Sequence, residues 1–303
     1  MKILTIGSAL IDVFLNSTDF KINEAGKICV GVATGKMDIK DFILKTGGGA
    51  GNCAAAFAKL GHEVAVIAEL GQDNLADLVL KDLISYGITT DFLIREKTEA
   101  TGGSVILVAD NGERVVLVHR GAAAMLDPQD IDLKKVETFF GKLDWLHLSS
   151  IAGQLETLKH IFKKAKAQQI KLSWNPGTAD LRLVADGKLA LGDLYGEILF
   201  LNQEEWALIS SQQDRLLNIW SQLVITNGQQ GGQVLLNNGE KFAYEAVKVK
   251  AVNVTGAGDA FASAYVAAIL ENKTPREAAL WGAKNSASVV QHAGAKEGLL
   301  SSF

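Results

Sequence analysis

Asn253-Val254-Thr255-Gly256-Ala257-Gly258-Asp259 stands directly before a run of small residues that begins at Ala260. The Gly-Ala-Gly turn opens a helix expected over Ala260 to Glu271, with Phe261, Ala264, Tyr265, Ala268 and Ile269 on one face. Such a turn leaves several backbone N–H groups unpaired beside the positive end of the helix dipole. That arrangement suits a phosphoryl group. Asp259 lies on the same turn, where a carboxylate can accept a proton from a substrate hydroxyl. An anion hole and a base on one turn are what phosphoryl transfer from a nucleotide to an alcohol requires. A Gly-x-Gly-Asp turn is also an ordinary tight bend, and this stretch alone leaves both readings open.

A second stretch changes the balance. Gly47-Gly48-Gly49-Ala50-Gly51-Asn52 leads into Cys53-Ala54-Ala55-Ala56-Phe57-Ala58-Lys59-Leu60, and Gly61 ends that helix. Glycines let a ligand approach the backbone closely. Asn52 adds an amide with donors and an acceptor, suited to sugar hydroxyls. The plainer alternative is a glycine-rich loop before an alanine-rich helix packed on a sheet. Gly-Gly-x-x-x-Asn, followed about two hundred residues later by Thr-Gly-Ala-Gly-Asp, resembles the ribokinase or PfkB-type carbohydrate kinases. The resemblance runs essentially end to end. It includes Gly7 through Asp12, Asn202-Gln203-Glu204-Glu205, Thr226-Asn227-Gly228 and Gly294-Ala295.

The resemblance implies an α/β, ribokinase-like fold: a mostly parallel central sheet with helices on both faces and a small β-sheet lid. It implies one domain over residues 1–303, with the lid formed by about 13–46 and 97–120. Asp259 would be the general base, and Gly256, Ala257 and Gly258 the anion hole. Asp12, Gly47, Gly48 and Asn52 would hold the sugar. Asn202, Thr226, Gly228 and Gly231 would lie near the nucleotide, and Glu205 would help organise Mg²⁺ with its waters. ATP is the implied donor, and ADP is another donor the residues leave open. Many members also bind a monovalent cation such as K⁺ beside the turn, where this chain has Asn253 and Thr255. Asn253 replaces the usual Asp, and His292 and Gly298 also depart from the pattern, which argues against a K⁺ requirement. Leu10 and Ser149 stand where ribokinase proper has substrate-facing Asn and Glu, which argues against strict ribose specificity. Arg120 is either an anion contact or a hinge residue.

Read without the resemblance, several of these residues have plainer roles. Asp12 is an ordinary loop Asp, Glu204 and Glu205 are first-turn acids favoured by a helix dipole, and Asn227-Gly228 is a hairpin turn leading to Gln233–Leu236. The 303 residues, 48% hydrophobic, are ample for a buried core. A net charge of −4 with mixed signs gives no reason to expect nucleic acid or an anionic membrane, and Lys134-Lys135 and Lys163-Lys164 read as solvated helix faces. Cys29 and Cys53 make no disulfide framework or metal pattern. With no signal peptide and no apolar run near the ~20 residues of a membrane span, a cytoplasmic protein is expected.

Strand-like runs at Lys2–Ile6, Val64–Ala68, Trp145–Leu148, Lys171–Trp174, Ile198–Leu201 and Leu223–Thr226 read as buried parallel strands. Asn74-Leu75-Ala76-Asp77 resembles a capping box, with Leu75, Leu78, Val79 and Leu83 on the buried face of the helix it opens. Gly102–Arg120 reads as a hairpin turning at Asp110-Asn111-Gly112, part of an antiparallel lid whose exposed face would allow homodimer pairing. Gly31–Met37 only superficially resembles a P-loop, lacking its first glycine and its Ser or Thr. No zinc-ligand spacing and no Gly-x-Ser-x-Gly elbow is present. Three readings follow. The first is a sugar kinase, with a nucleoside kinase beside it whose base pocket would draw on Phe14, Phe20 or Phe42. The second is a dinucleotide-dependent oxidoreductase, because Gly49 to Ala54 fits Gly-x-Gly-x-x-Ala with Glu69 as its acid. The third is a non-catalytic sugar-binding protein, against which the whole Gly256–Asp259 turn argues.

Overall fold

The computed structural model describes residues 1–18, 20–22, 28–30, 36–109 and 114–303, and for 21–22 and 28–30 the backbone alone. In chain order the strands are β1 (Lys2–Ile6), β2 (Leu10–Asn16), β3 (Phe20–Ile22), β4 (Ile28–Val30), β5 (Asp41–Gly47), β6 (Glu63–Ile67), β7 (Glu69–Leu70) and β8 (Ile94–Arg95). They continue as β9 (Gly103–Val108), β10 (Arg114–His119), β11 (Trp145–Ser149), β12 (Lys171–Asn175), β13 (Ile198–Asn202), β14 (Gln222–Thr226), β15 (Gly232–Leu236) and β16 (Lys241–Tyr244). The helices are α1 (Gly49–Lys59), α2 (Asn74–Ser85), α3 (Leu133–Phe140), α4 (Leu155–Ala167), α5 (Thr178–Ala185), α6 (Gln203–Ile209), α7 (Gln213–Leu217), α8 (Ala257–Leu270) and α9 (Pro275–Val289).

Eight strands form the large sheet in the order β16-β15-β14-β13-β12-β11-β1-β6. Pairing is parallel from β14 to β6, and β15 and β16 add an antiparallel edge. Successive side chains of a strand point to opposite faces. Leu199 and Leu201 accordingly join the core with Phe162, Leu158 and Trp206, while Ile198 and Phe200 join the other core with Phe57, Val79 and Tyr265. Both faces are thus covered, which is why these strands read as continuous apolar runs.

Beside this sheet lies a smaller one, in the order β10-β9-β2-β5. The strand hairpin expected over Gly102–Arg120 is its β9–β10 pair, antiparallel from Gly103↔His119 to Val108↔Arg114. Its expected turn at Asp110-Asn111-Gly112 lies outside the described residues, as do most of the P-loop-like stretch and the Cys29 side chain. β2 runs parallel to β9 and antiparallel to β5. Phe14 and Phe20 are buried and Phe42 is exposed, so the three do not share one environment. Among the described residues, no helix is long and apolar enough to cross a membrane.

Four local expectations need correction. α8 begins at Ala257, three residues earlier than expected, because Gly256 takes the N-cap position with φ +77°. Its burial is also not one-faced: every residue from Ala260 to Ala268 is buried, between α1, α9 and the sheet. α2 is capped by Asp73, which accepts from Ala76 N–H, and its buried residues are Ala76, Val79 and Leu83. Leu75 and Leu78 are exposed.

Candidate active site

The carboxyl ends of β11, β12 and β13 and the N-termini of α1, α6 and α8 converge on one cavity of about 310 Å³. Ser8, Ser149, Asn175, Asn202, Glu205 and Asp259 are among its lining residues. A second cavity, about 380 Å³, is lined mainly by small and apolar groups such as Val247, Val254, Ala283 and Ala287. The two share Thr226, Gly258 and Phe261. The start of α8 is therefore the partition between them.

Gly256 is obligatory at that partition. It combines a left-handed backbone with a Cβ direction that points into Ala295, 2.7 Å from its Cα. A Cβ on Gly258, by contrast, would meet open space. In the first turn of α8, Ala257 N–H donates to Val254 O at 3.3 Å and Ala260 N–H to Gly256 O at 2.9 Å, which leaves the N–H groups of Gly258 and Asp259 for a ligand. Asp259 occupies that turn, and its carboxylate accepts Nδ2–H from Asn52 at 2.8 Å and from Asn175 at 3.2 Å. Burial pushes its pKa up to about 6; both amides oppose the shift, and the Asp12 charge adds to it. At neutral pH the carboxylate is thus mainly ionised, the form able to accept a proton.

Asn52 and Asn175 come from α1 and from the end of β12. The acceptor atom of Asn52, Oδ1, is buried without a partner, a polar atom ready for a donor from a ligand. Asp12 is 6% exposed on β2, where Ser104 Oγ–H donates to its Oδ1. Burial raises its pKa, against the Ser104 bond and the nearby Lys296. Gly47 leaves room for that carboxylate, since a Cβ there would overlap it. Gly48 has φ +89° and no space for a side chain, its Cβ direction meeting the Ser8 backbone. Asp12, Gly47, Gly48 and Asn52 do not line either cavity, although Gly49 does.

Asn202 and Glu205 form a reciprocal capping box on α6, with bonds of 2.9 Å in both directions. Burial raises the Glu205 pKa. Thr226, Gly228 and Gly231 form the turn from β14 into antiparallel β15, so the hairpin reading holds, and all three line the larger cavity. Arg120 is exposed at the start of the short helical turn Gly121–Ala124.

Asn253 and Thr255 do not fit a monovalent cation. Asn253 Oδ1 already accepts two N–H groups, from Thr255 N at 2.7 Å and from Arg114 Nη1 at 2.9 Å. The same Nη1 lies 3.1 Å from Thr255 Oγ1. A guanidinium already holds both side-chain oxygens that these two residues could offer an ion. Magnesium is easier to place. Among the described residues no three His, Cys, Asp or Glu side chains cluster as metal ligands. A cation that keeps water and phosphate ligands needs only one carboxylate, and Glu205 lines the cavity beside Asp259.

The dinucleotide reading fails at α1. Gly49 N–H donates to Ser8 Oγ at 3.0 Å, and Ala50 and Gly51 N–H donate to Ser8 O at 3.0 and 3.3 Å. Its first-turn donors are spent on protein, whereas a pyrophosphate would require them. Glu69 is buried on β7, 3% exposed, with Oε2 lacking any partner.

The model of the pfkB family carbohydrate kinases matches residues 1–301. The chain belongs to that family. The kinase is 28% identical to the ribokinase of Staphylococcus aureus over 313 aligned positions, covering 97% of this chain and 95% of that protein. It is 26% identical over 280 positions to the deoxyribokinase of Salmonella typhi, covering 88% and 84%. Its fold superposes on that of Arabidopsis thaliana ribokinase, solved with ribose and ATP, at a TM-score of 0.78 with 19% identity over 97% and 94% of the two chains. The kinase is accordingly a sugar or nucleoside kinase with the ribokinase-like α/β fold.

Asn175, Ser149 and Arg114 are the site residues that sequence reasoning missed or read differently. Asn175 precedes Pro176-Gly177 at the end of a predicted parallel strand, the place where open α/β sheets bind ligands, and that position was the available signal. Ser149 packs its Cβ against Gly49, so a side chain at Gly49 would collide with it.

Proposed function

We propose that this kinase transfers the terminal phosphoryl group of ATP to a hydroxyl of a sugar or sugar derivative. The acceptor oxygen attacks the terminal phosphorus, the P–O bond to ADP breaks, and the hydroxyl proton passes to the Asp259 carboxylate. The products are ADP and the phosphorylated acceptor. The observation that carries this reading is the position of Gly258 and Asp259 on the partition between the two cavities. A donor nucleotide on the apolar side and an alcohol on the Asp259 side would meet at the N–H groups of Gly258 and Asp259 at the start of α8.

In this reading the Gly256-Ala257-Gly258 turn stabilises charge that builds on the transferred group, commonly the largest catalytic contribution. Asp12, Gly47, Gly48 and the free Oδ1 of Asn52 bind the acceptor. Thr226, Gly228 and Gly231 border the nucleotide, and Asn202 holds Glu205 in place. Mg²⁺ held by the nucleotide phosphates near Glu205 would neutralise phosphate charge. The chain acts as a single unit of residues 1–303. The small sheet serves as lid over the acceptor, and its exposed Phe42, Leu44 and Leu117 offer an apolar face for a homodimer.

The test is ADP release with ATP and Mg²⁺ across pentoses, hexoses, sugar acids, sugar phosphates and nucleosides, run in parallel on Asp259→Asn. Turnover on one class, lost in the variant, is the expected result. Full turnover in Asp259→Asn would remove Asp259 as the base.

A further inference from the structure

Arg114 begins β10, at the end of the small sheet farthest from the glycine loop. Its neighbours across the sheet fix its direction. Val118 pairs with Ser104, which pairs with Asp12, and residues two apart on a strand share a face. Arg114, Val116 and Val118 therefore lie on the face that carries Asp12. Four strand steps lead from Ser104 to Val108, the partner of Arg114, so Asp12 and Arg114 are offset by roughly 13 Å along the strand direction and stand two strands apart across the sheet. From there the guanidinium reaches Asn253 Oδ1 and Thr255 Oγ1. Those residues immediately precede Gly256. The same loop is tied to the end of α9 by Val252 and Asn253 N–H donating to Val290 O at 2.7 and 3.1 Å.

We propose that Arg114 is a positioning residue that supplies the fixed positive charge of the anion-hole loop, so that phosphoryl transfer depends on the small sheet reaching this loop and not on a monovalent cation. The inference rests on the kinase reading above. A second cation on the same oxygens would face the guanidinium at contact distance, where like charges repel strongly. Asn253, being neutral, gives such an ion no charge in return. The bonds from Arg114 also orient Thr255, whose backbone leads into the left-handed Gly256 that aims the first-turn N–H groups of α8. The acceptor is then enclosed between Asp12 at one end of the sheet and the Arg114 link at the other.

The experiment compares wild type, Arg114→Lys and Arg114→Ala in choline chloride, with KCl or guanidinium chloride titrated in at constant ionic strength. Melting curves confirm that each variant is folded. Wild-type turnover should stay flat across the KCl titration. Arg114→Ala should lose roughly ten- to a hundredfold in kcat, with the acceptor KM changed much less, and guanidinium should restore a large part of the loss. Arg114→Lys should lie between the two. Several-fold activation of wild type by K⁺ would overturn the inference. So would an Arg114→Ala kcat within twofold of wild type, or a loss that no added cation repairs, which would make Arg114 merely a packing residue. Absence of any wild-type turnover on the acceptor panel would instead sink the proposed phosphoryl transfer to a sugar on which this inference rests.

Discussion

Replacing Asn175 by Ala should move the acid limb of the pH–rate profile without lowering its plateau. The Asp259 carboxylate is ionised above about 6, so activity that needs it as a base is present at higher pH and is lost as pH falls through that value. Asn175 opposes the burial that raises this pKa, through one N–H bond of 3.2 Å to Oδ1. Hydrogen bonds to charged groups contribute roughly 1.5–3 kcal/mol, and the long distance places this one near the lower end. A loss of about 1.4 kcal/mol from the ionised form corresponds to a rise of roughly one pH unit. The acid limb should shift from about 6 in wild type to roughly 7 in the variant. At pH near 6 the variant should retain roughly a fifth of the wild-type rate, and at pH near 9 the two should converge, because both carboxylates are then ionised. The assay is kcat/KM for the acceptor from about pH 5 to about pH 9, read by ADP release. Asp259→Asn provides the floor, roughly 10²–10⁴-fold lower. An acid limb that does not move, or a curve depressed equally at every pH, would refute the assignment of that limb to Asp259.

Three further outcomes follow from the described contacts. Glu69 has no partner for Oε2, and burial followed by the charges of Asp130, Glu96 and Asp127 raises its pKa from 4.5 to about 8. The folded state therefore favours the protonated acid, and that contribution is full below the ordinary value and lost as pH rises through about 8. Glu69→Gln should match wild type near pH 5 and exceed it near pH 8 by on the order of 2 kcal/mol, measured by melting temperature at both pH values. Lys296 is 5% exposed and bonds Asp82 and Thr46 Oγ1, whereas the Asp82 side chain is 28% exposed. Asp82→Asn removes the directly bonded counter-charge of a buried ammonium and should cost roughly 3 kcal/mol, against about 2 kcal/mol for Lys296→Met, which leaves a carboxylate that water can reach. Denaturant midpoints that reverse this order would contradict the burial asymmetry. Gly256→Ala combines a left-handed backbone with a collision against Ala295. It should cost at least about 2 kcal/mol and most of the activity, read by melting and ADP release together.

The fold was legible because its determinants are local. Apolar runs such as Ile198–Leu201 carry the signature of strands buried on both faces, and glycines mark the starts of α1 and α8. The Asp259 neighbourhood was legible only in part. Asn52 lies in the first turn of α1 within a recognisable glycine pattern, but Asn175 meets the same carboxylate across 84 positions of chain and leaves no periodic trace. Arg114 reaches Asn253 across 139 positions and Lys296 reaches Thr46 across 250, distances at which sequence pattern says nothing about contact. The misread residues have physical reasons too. Leu75 and Leu78 fit a helical period, yet α2 presents only Ala76, Val79 and Leu83 to the core, and Asp73 competes successfully with Asn74 as cap. At Asn202–Glu205 the capping box and the ligand-facing position coincide, so the structural reading of that motif and the functional one describe the same atoms.

The amides that hold the Asp259 carboxylate rise from α1 and β12, while Asp12 and Gly47 belong to strands of the small sheet. In the proposed function, the groups that tune the base and most of those that bind the acceptor therefore sit on separate layers of the molecule, joined by Asn52. Changes on β5 and β9 can re-tailor which hydroxyls are recognised while the proton affinity of the base stays as it is, whereas a change at Asp12 on β2 also alters the base, because its charge adds to the rise in the Asp259 pKa. A lineage built this way can explore new acceptors one strand at a time and keep a working phosphotransfer apparatus throughout.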